Sequence, residues 1–304
     1  MAHPGTAKLS IGLALLTGCL SSGRAAEPSA VPRRLYVAVE KDGVPVTGLD
    51  GANFHLYVNG QPLSFQLERP EPASVALLLE NSTTSWRGFQ QLNAPIRSFL
   101  EHAPQNDDTY ALAAYSRSLF VAFEFTRQVD LIPEVYAALG RPLWSDINTY
   151  DAVYGMLERL GRIQGRRILV LIGSGLDTLS GYTLEDVKRK IEAENVTVFA
   201  IGTGSLFADS YSAALGSAAA SHLAGARSFL EMLAMKSGGG AWFPNQTAEV
   251  PSALNDILGR IAAQYCLVYE PPRLPAGKFE SVKVEVAAQD GQANLTVLAR
   301  EGWR

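Results

Sequence analysis

The side chains best suited to catalysis or metal capture are few here, and their spacing is unhelpful. The four histidines, His3, His55, His102 and His222, lie far apart and match no metal-ligand spacing. No Gly-x-Ser-x-Gly elbow occurs, and no histidine stands near a candidate nucleophile, so no enzyme is expected. Of the two cysteines, Cys19 falls in a segment expected to be processed. Cys266, flanked by Tyr265, Leu267 and Val268, then reads as a buried strand thiol with no disulfide partner. Gly202-Thr203-Gly204 lacks the third glycine of a dinucleotide fingerprint and reads as a strand-to-loop turn. Asn81, Asn195, Asn245 and Asn294 each open an Asn-x-Ser/Thr triplet, which we read as incidental. His102 sits at a helix end, placed to bond its carbonyls.

Composition sets the frame for these residues. The sequence of 304 residues is 47% hydrophobic and 18% charged, as expected of a globular protein long enough for one large domain plus a smaller unit. A net charge of -4 without a basic patch gives no electrostatic case for nucleic acid.

The N-terminus reads as a signal peptide over residues 1–26: Lys8, then an apolar run from Leu9 to Leu20, then small residues. The run falls short of the ~20 residues a membrane-spanning helix needs. Two cleavage sites stay open. Gly23-Arg24-Ala25 suits an ordinary signal peptidase, and Leu16-Thr17-Gly18-Cys19 resembles a lipobox in which Cys19 becomes the lipid anchor. Either way the expectation is an exported protein, a periplasmic or cell-envelope lipoprotein or a secreted one, with no transmembrane helix.

Residues 33–70 alternate as strands: Leu35 to Glu40, Phe54 to Val58, and Leu63 to Leu67 after an Asn59-Gly60 hairpin turn. From Val75 the pattern changes. Val75 to Leu79, Ile168 to Ile172 and Val196 to Ile201 are continuous apolar runs, the mark of strands covered on both faces. Helical spacing follows at Phe89 to Leu100, Val129 to Leu139, Tyr150 to Leu160, after Thr183, and Val250 to Ala263. Tyr110 to Tyr115 and Leu119 to Phe125 read as two strands joined at Arg117. Leu206 to Ala226, rich in Ala and Ser with weak periodicity, reads as a surface excursion before a short helix ending at Gly238. Two alternating strands joined through Asp290-Gly291 finish the sequence. The order predicts an α/β fold. Its central, mostly parallel sheet is covered by helices on both faces over residues 73–264, and strands in 265–304 pack with the N-terminal β unit.

The middle of the sequence resembles a von Willebrand factor type A (VWA) domain, and the mature protein is similar to the VWA-related proteins of acidobacterial type. The resemblance is carried by Val44-Thr47-Gly48-Leu49 with Asn53-Phe54 and Asn59-Gly60; by Val75 to Ser85; by Thr149-Tyr150-Asp151-Ala152; by Ser237-Gly238-Gly239 before Trp242-Phe243-Pro244; by Gln264-Tyr265 to Pro271; and by Gly277-Lys278-Phe279 with Arg300-Glu301-Gly302-Trp303. Their order along the sequence has more weight than any one of them.

The resemblance implies a metal-ion-dependent adhesion site: Asp-x-Ser-x-Ser after the first strand, a Thr from a second loop and an Asp from a third. Hydroxyl and carboxylate oxygens there hold Mg²⁺ while a partner's carboxylate completes the shell. Such loops lie at the carboxyl ends of parallel strands. Here the first loop is Glu80-Asn81-Ser82-Thr83-Thr84, Thr149 matches the second loop, and Ser174 stands where the third loop's Asp belongs. The candidate metal ligands are therefore Glu80, Ser82, Thr84 and Thr149, in a degenerate motif that leaves weak binding of Mg²⁺ or another divalent cation open. Asp146, Asp151 or Asp177 is available to supply the missing charge, and the competing reading is a hydrogen-bonded polar pocket. The function implied is binding of a protein partner, in adhesion or assembly, over Ser82, Thr84, Trp86, Thr149 and Ser174. The alternative is a scaffold protein with a vestigial site.

Overall fold

The structure, a computed structural model, describes Met1 and residues 31–103, 107–273, 275, 277–287 and 295–304. The proposed signal peptide, Cys19 and the Asp290-Gly291 turn lie outside the described residues.

The described fold opens with β1 (Arg33–Lys41), β2 (Val44–Pro45), β3 (Phe54–Val58), β4 (Gln61–Leu63) and β5 (Gln66–Glu68). The doubly wound domain follows: β6 (Ala73–Glu80), α1 (Trp86–Gln91), α2 (Asn93–Glu101), β7 (Thr109–Tyr115), β8 (Leu119–Thr126), α3 (Ile132–Ala138), α4 (Thr149–Gly161), β9 (Arg166–Gly173), α5 (Leu184–Ala193), β10 (Val196–Gly202), α6 (Ala208–Leu215), α7 (Ala219–Ser237), β11 (Gly240–Trp242) and α8 (Val250–Ala262). The last elements are β12 (Tyr265–Tyr269), β13 (Glu280–Val286), β14 (Leu295–Ala299) and β15 (Gly302–Trp303).

The six-stranded sheet runs β11-β10-β9-β6-β7-β8. All its pairings are parallel except that of β8 at the edge, which returns antiparallel from β7. Its central strands are apolar throughout because both faces are covered. Val75, Leu77, Leu79, Ile168, Val170 and Ile172 meet Ile96 and Phe99 of α2 and Leu254 and Ile257 of α8. The alternate residues Ala76, Leu78, Leu169, Leu171 and Val198 meet Val153 of α4, Val187 of α5 and Leu230 of α7. Full burial of each such side chain contributes about 1.5–3 kcal/mol, so these two layers hold the sheet rigid.

The N- and C-terminal strands combine in a β-sandwich. One sheet runs β14-β1-β12-β5 with β2 on β1, and the other runs β15-β13-β3-β4. Leu35, Val37, Val39 and Leu267 of the first face Phe54, Leu56, Val282 and Val284 of the second. The β3–β4 turn has Asn59 and Gly60 at φ 50° and 76°, the positive values this hairpin needs. The strand expected over Leu63 to Leu67 is instead split. β4 pairs with β3, while β5 crosses to pair with β12 in the opposite sheet.

Residues 206–226 are not an irregular excursion. They form α6 and most of the first part of α7, a 19-residue helix that continues to Ser237. Alanine favours helix intrinsically, while small side chains leave little apolar contrast for a periodicity to register. Cys266 is buried in β12, and burial pushes its thiol up to about 11. It is expected to stay inert to a thiol reagent at pH 8 in the native protein and to react fully in denaturant. Native-state labelling at the denatured rate would show that β12 is not packed.

Candidate functional site

The strand order reverses about β6, whose neighbours β7 and β9 lead off to opposite edges, and open α/β sheets place ligands at the carboxyl ends of such strands. Glu80 ends β6 there, and Ser174 follows β9. The two are joined directly. The Ser174 amide and hydroxyl donate to Glu80 Oε2 at 2.7 and 2.5 Å. The Tyr211 hydroxyl donates to Oε1 at 2.9 Å, and the Ser82 hydroxyl reaches the same oxygen at 3.5 Å. Gly173 makes this approach possible: a Cβ there would lie 2.6 Å from the Tyr115 hydroxyl and 3.0 Å from Glu80 Cβ.

Ser82 is also closed on itself. Its hydroxyl lies 3.0 Å from that of Ser85 and accepts the Ser85 amide at 3.1 Å, while the Ser82 amide donates to Ser85 Oγ at 3.2 Å. This reciprocal pair shapes the turn that opens α1. Thr149 Oγ1 is hydrogen-bonded to the Tyr115 hydroxyl at 3.2 Å and to the Leu176 carbonyl. The loops are stitched together by backbone bonds as well: Asn81 N–H to Tyr115 O at 2.7 Å, Thr83 N–H to Trp144 O at 2.9 Å and Asn148 N–H to Ser116 O at 2.9 Å.

The electrostatics follow from burial. Glu80 is 3% exposed, and desolvation raises its carboxyl pKa against the opposing hydrogen bonds from Ser174, Tyr211 and Ser85. Burial also pushes the phenols of Tyr211 and Tyr115 well up, and the neighbouring Glu80 adds to both. The cluster is therefore a neutral or singly charged network with its donors turned inward.

The structure brings Glu80, Ser82 and Ser174 into one network, with Thr149 joined alongside to Tyr115. Thr84 is half-buried and makes no hydrogen bond to this network among the described residues. Trp86 packs inward, stacked on Phe89 at 5.9 Å. Ser82, Thr149 and Ser174 are 0, 0 and 3% exposed, so they support the loop surface from beneath rather than form it. Two of the three spare aspartates are used elsewhere. Asp177 accepts the Tyr150 amide at the start of α4 and the Ser180 hydroxyl, and Asp151 accepts the Gly181 and Tyr182 amides. Sequence reasoning misses Ser85, Tyr115 and Tyr211. The Ser82-x-x-Ser85 spacing is a usable signal for the first, and Tyr211, an aromatic with a polar handle amid alanines and serines, for the last.

A hard dication does not fit this donor set. Both Glu80 oxygens already accept protein donors, and Ser174 presents its hydroxyl hydrogen where a second carboxylate would offer lone pairs. Among the described residues no group of three or more His, Cys, Asp or Glu is placed to hold a metal. The two departures from the adhesion-site pattern are complementary: the longer Glu80 spans the space that a carboxylate at position 174 would need for a cation. The double variant Glu80→Asp/Ser174→Asp is therefore expected to gain Mn²⁺ binding in the millimolar range or tighter by calorimetry, with each single variant showing none. A saturable heat from either single variant would contradict this coupling.

The topology defines the class: a doubly wound α/β domain with a mostly parallel sheet, joined to a β-sandwich made from the N- and C-terminal strands. No family model matches the sequence, and no curated protein matches it. Solved structures do match. Proximal thread matrix protein 1 from the mussel byssus is 13% identical with a TM-score of 0.47, over 65% of this protein and 49% of its own length. BatB from Bacteroides thetaiotaomicron is 13% identical with a TM-score of 0.47, over 63% of this protein and 98% of its own length. An aerotolerance-related membrane protein from Bacteroides fragilis NCTC 9343 is 11% identical with a TM-score of 0.45, over 62% of this protein and 98% of its own length. The match thus spans about half of the mussel protein's length.

Proposed function

We propose that this protein is an exported, non-enzymatic interaction module of the VWA-related, acidobacterial type, which docks a protein partner over its carboxyl-end loops without a cation. The observation that carries the reading is where exposed large apolar side chains gather. Phe120, Leu143 and Trp144 are 60, 86 and 50% exposed and line one depression beside Asn81 and Tyr115, while Leu179 and Tyr182, 70 and 43% exposed, lie in the loop that follows β9. Clustered exposed apolar surface marks interaction sites. Arg117 lies 4.8 Å over the Trp144 ring, and Arg141 lines the same depression of about 360 Å³ with Asn81, Phe120 and Leu143. An apolar patch with a basic rim suits an acidic, partly apolar protein surface. The sealed Glu80 network beneath it fixes the loops that present these side chains.

The same sealing favours a second reading, a scaffold protein whose loop end meets no partner. Crosslinking pull-down from the native host separates the two. A protein captured by the wild type and lost with Leu143→Ser/Trp144→Ser supports the docking face, while equal capture by both moves the contact elsewhere. Export rests on the sequence of residues 1–26. Mass spectrometry of the mature N-terminus tests it: an acylated Cys19 gives the lipoprotein form, a start at Ala26 or Glu27 gives the soluble form, and an intact Met1 rejects export. Among the described residues no helix is long and apolar enough to cross a membrane.

A further inference from the structure

A second concavity opens on the other side of Ser174. It is a cavity of about 220 Å³ between the ends of β9 and β10 and the helices α6 and α7. Its walls are Ala208, Leu223, Ala224 and Phe243, and its polar lining is Ser174, the Gly204–Ser205 backbone and Arg227.

Arg227 lines this cavity with a half-exposed side chain that is ion-paired to Glu231. Its guanidinium carbon stacks 3.9 Å from the Phe243 ring centroid, and its Nε donates to Glu231 Oε1 at 2.9 Å, one helical turn along α7. Stacking fixes the guanidinium plane and the Glu231 contact occupies only its Nε edge. The two terminal nitrogens have no acceptor among the described residues. The amides of Gly204 and Ser205 likewise have none, whereas Thr203 N–H on one side is bound to Gly173 O and Phe207 N–H on the other to Thr203 O. The cavity is thus lined by a guanidinium with two unused nitrogens and by two residues whose amides have no internal acceptor, beside an apolar wall.

We propose that this cavity binds a carboxylate on a short hydrocarbon stem, with Arg227 supplying the positive charge that the Glu80 network is built to do without. The inference rests on the interaction-module reading and adds the chemistry of the group recognised. A guanidinium fork matches the planar oxygens of a carboxylate bidentately. The volume suits a single side chain or a peptide end rather than a nucleotide, and the wall of Leu223, Ala224 and Ala208 suits its methylenes. Glutamate and aspartate side chains and a free peptide C-terminus share this chemistry.

The test is amide NMR of the mature protein with EDTA present, titrated with three peptides. One is blocked at both ends and carries a single Glu, one is the same with Gln, and one is blocked only at its N-terminus. Saturable shifts at Gly202, Gly204 and Ser205 are expected with the Glu peptide or with the free C-terminus, and whichever saturates identifies the source. None is expected with Gln. Arg227→Lys should weaken binding at least tenfold, and Arg227→Gln should abolish it while leaving the remaining amide spectrum unchanged. Equal binding of the Glu and Gln peptides, unchanged binding to Arg227→Gln, or no saturable shift with any peptide would overturn the assignment. The pull-down with Leu143→Ser/Trp144→Ser judges the module reading separately, so failure here removes the Arg227 site alone.

Discussion

Replacing Glu80 with alanine is expected to lower the unfolding free energy by about 3–4 kcal/mol, measured by chemical denaturation at pH 7. The size follows from what is left behind. The Ser174 amide and hydroxyl and the Tyr211 hydroxyl all donate to this buried carboxyl group. An orphaned buried donor costs about 1–3 kcal/mol, and the vacated side-chain volume adds a cavity term. Glu80→Gln keeps an acceptor for Ser174, and the hydroxyls of Tyr211 and Ser82 can turn to accept from its amide, so a loss of only about 1–2 kcal/mol is expected. The pH dependence separates the two further. Burial raises the folded-state pKa of Glu80 above its ordinary value of 4.5. The native state then holds a proton that the unfolded protein releases. The wild type is most stable relative to Glu80→Gln below that ordinary value, and the advantage shrinks as pH rises through the folded-state pKa. A difference between the two proteins that does not change from pH 4 to pH 8 would show that Glu80 is not desolvated as described.

The scaffold is far more legible in the sequence than the site. Runs such as Val75 to Leu79 and Ile168 to Ile172 have no polar interruption, and only a strand covered on both faces explains them. The capping box of Thr183 and Asp186 and the Asn59-Gly60 turn are local devices that work the same way in any fold. What stays hidden depends on distance along the sequence. Nothing local announces that β5 leaves its hairpin to join β12, because register is decided by a partner some 200 residues away. Residues 206–226 look irregular because alanine and serine give a helix no apolar stripe, and this hides Tyr211, the phenol that closes the Glu80 network.

The candidate site shows the same limit more sharply. Read one position at a time, Glu80 and Ser174 are two defects in a metal-binding pattern. Placed side by side they are one substitution made in two places, with a longer acceptor on β6 and a pair of donors after β9. A carboxylate with both oxygens bonded within the protein is a structural group. The docking face and the Arg227 site proposed above therefore both lie outside this network.

Arg300→Ala is expected to be the other severe change, lowering stability by about 3–5 kcal/mol and loosening the β-sandwich from the doubly wound domain. Arg300 follows β14 and is 3% exposed, yet its guanidinium is fully engaged. Nε donates to Gly302 O at 2.8 Å, one terminal nitrogen to Glu194 O at 2.9 Å and Asn195 Oδ1 at 3.4 Å, and the other to Ile191 O at 3.0 Å and Glu192 O at 3.2 Å. The Ile191, Glu192 and Glu194 carbonyls are the open end of α5, where the helix dipole is negative and a cation is favoured. The Trp303 ring lies 3.6 Å from the guanidinium carbon on its flat face. Burial lowers the pKa to about 9, which still leaves the group charged at neutral pH. Lys236 and Arg304 also pair with Glu192, but at positions more open to solvent, where ion pairs contribute less. Removing Arg300 leaves the α5 carbonyls unpaired and one face of Trp303 bare. Arg300→Lys keeps a charge but has three donors and no plane, so it should recover less than half of the loss. The readouts are denaturant unfolding and limited proteolysis. Cleavage near residue 264 should rise in Arg300→Ala at a denaturant concentration where the wild type resists. A stability change under about 1 kcal/mol with an unaltered cleavage pattern would mean that the two units are held together elsewhere.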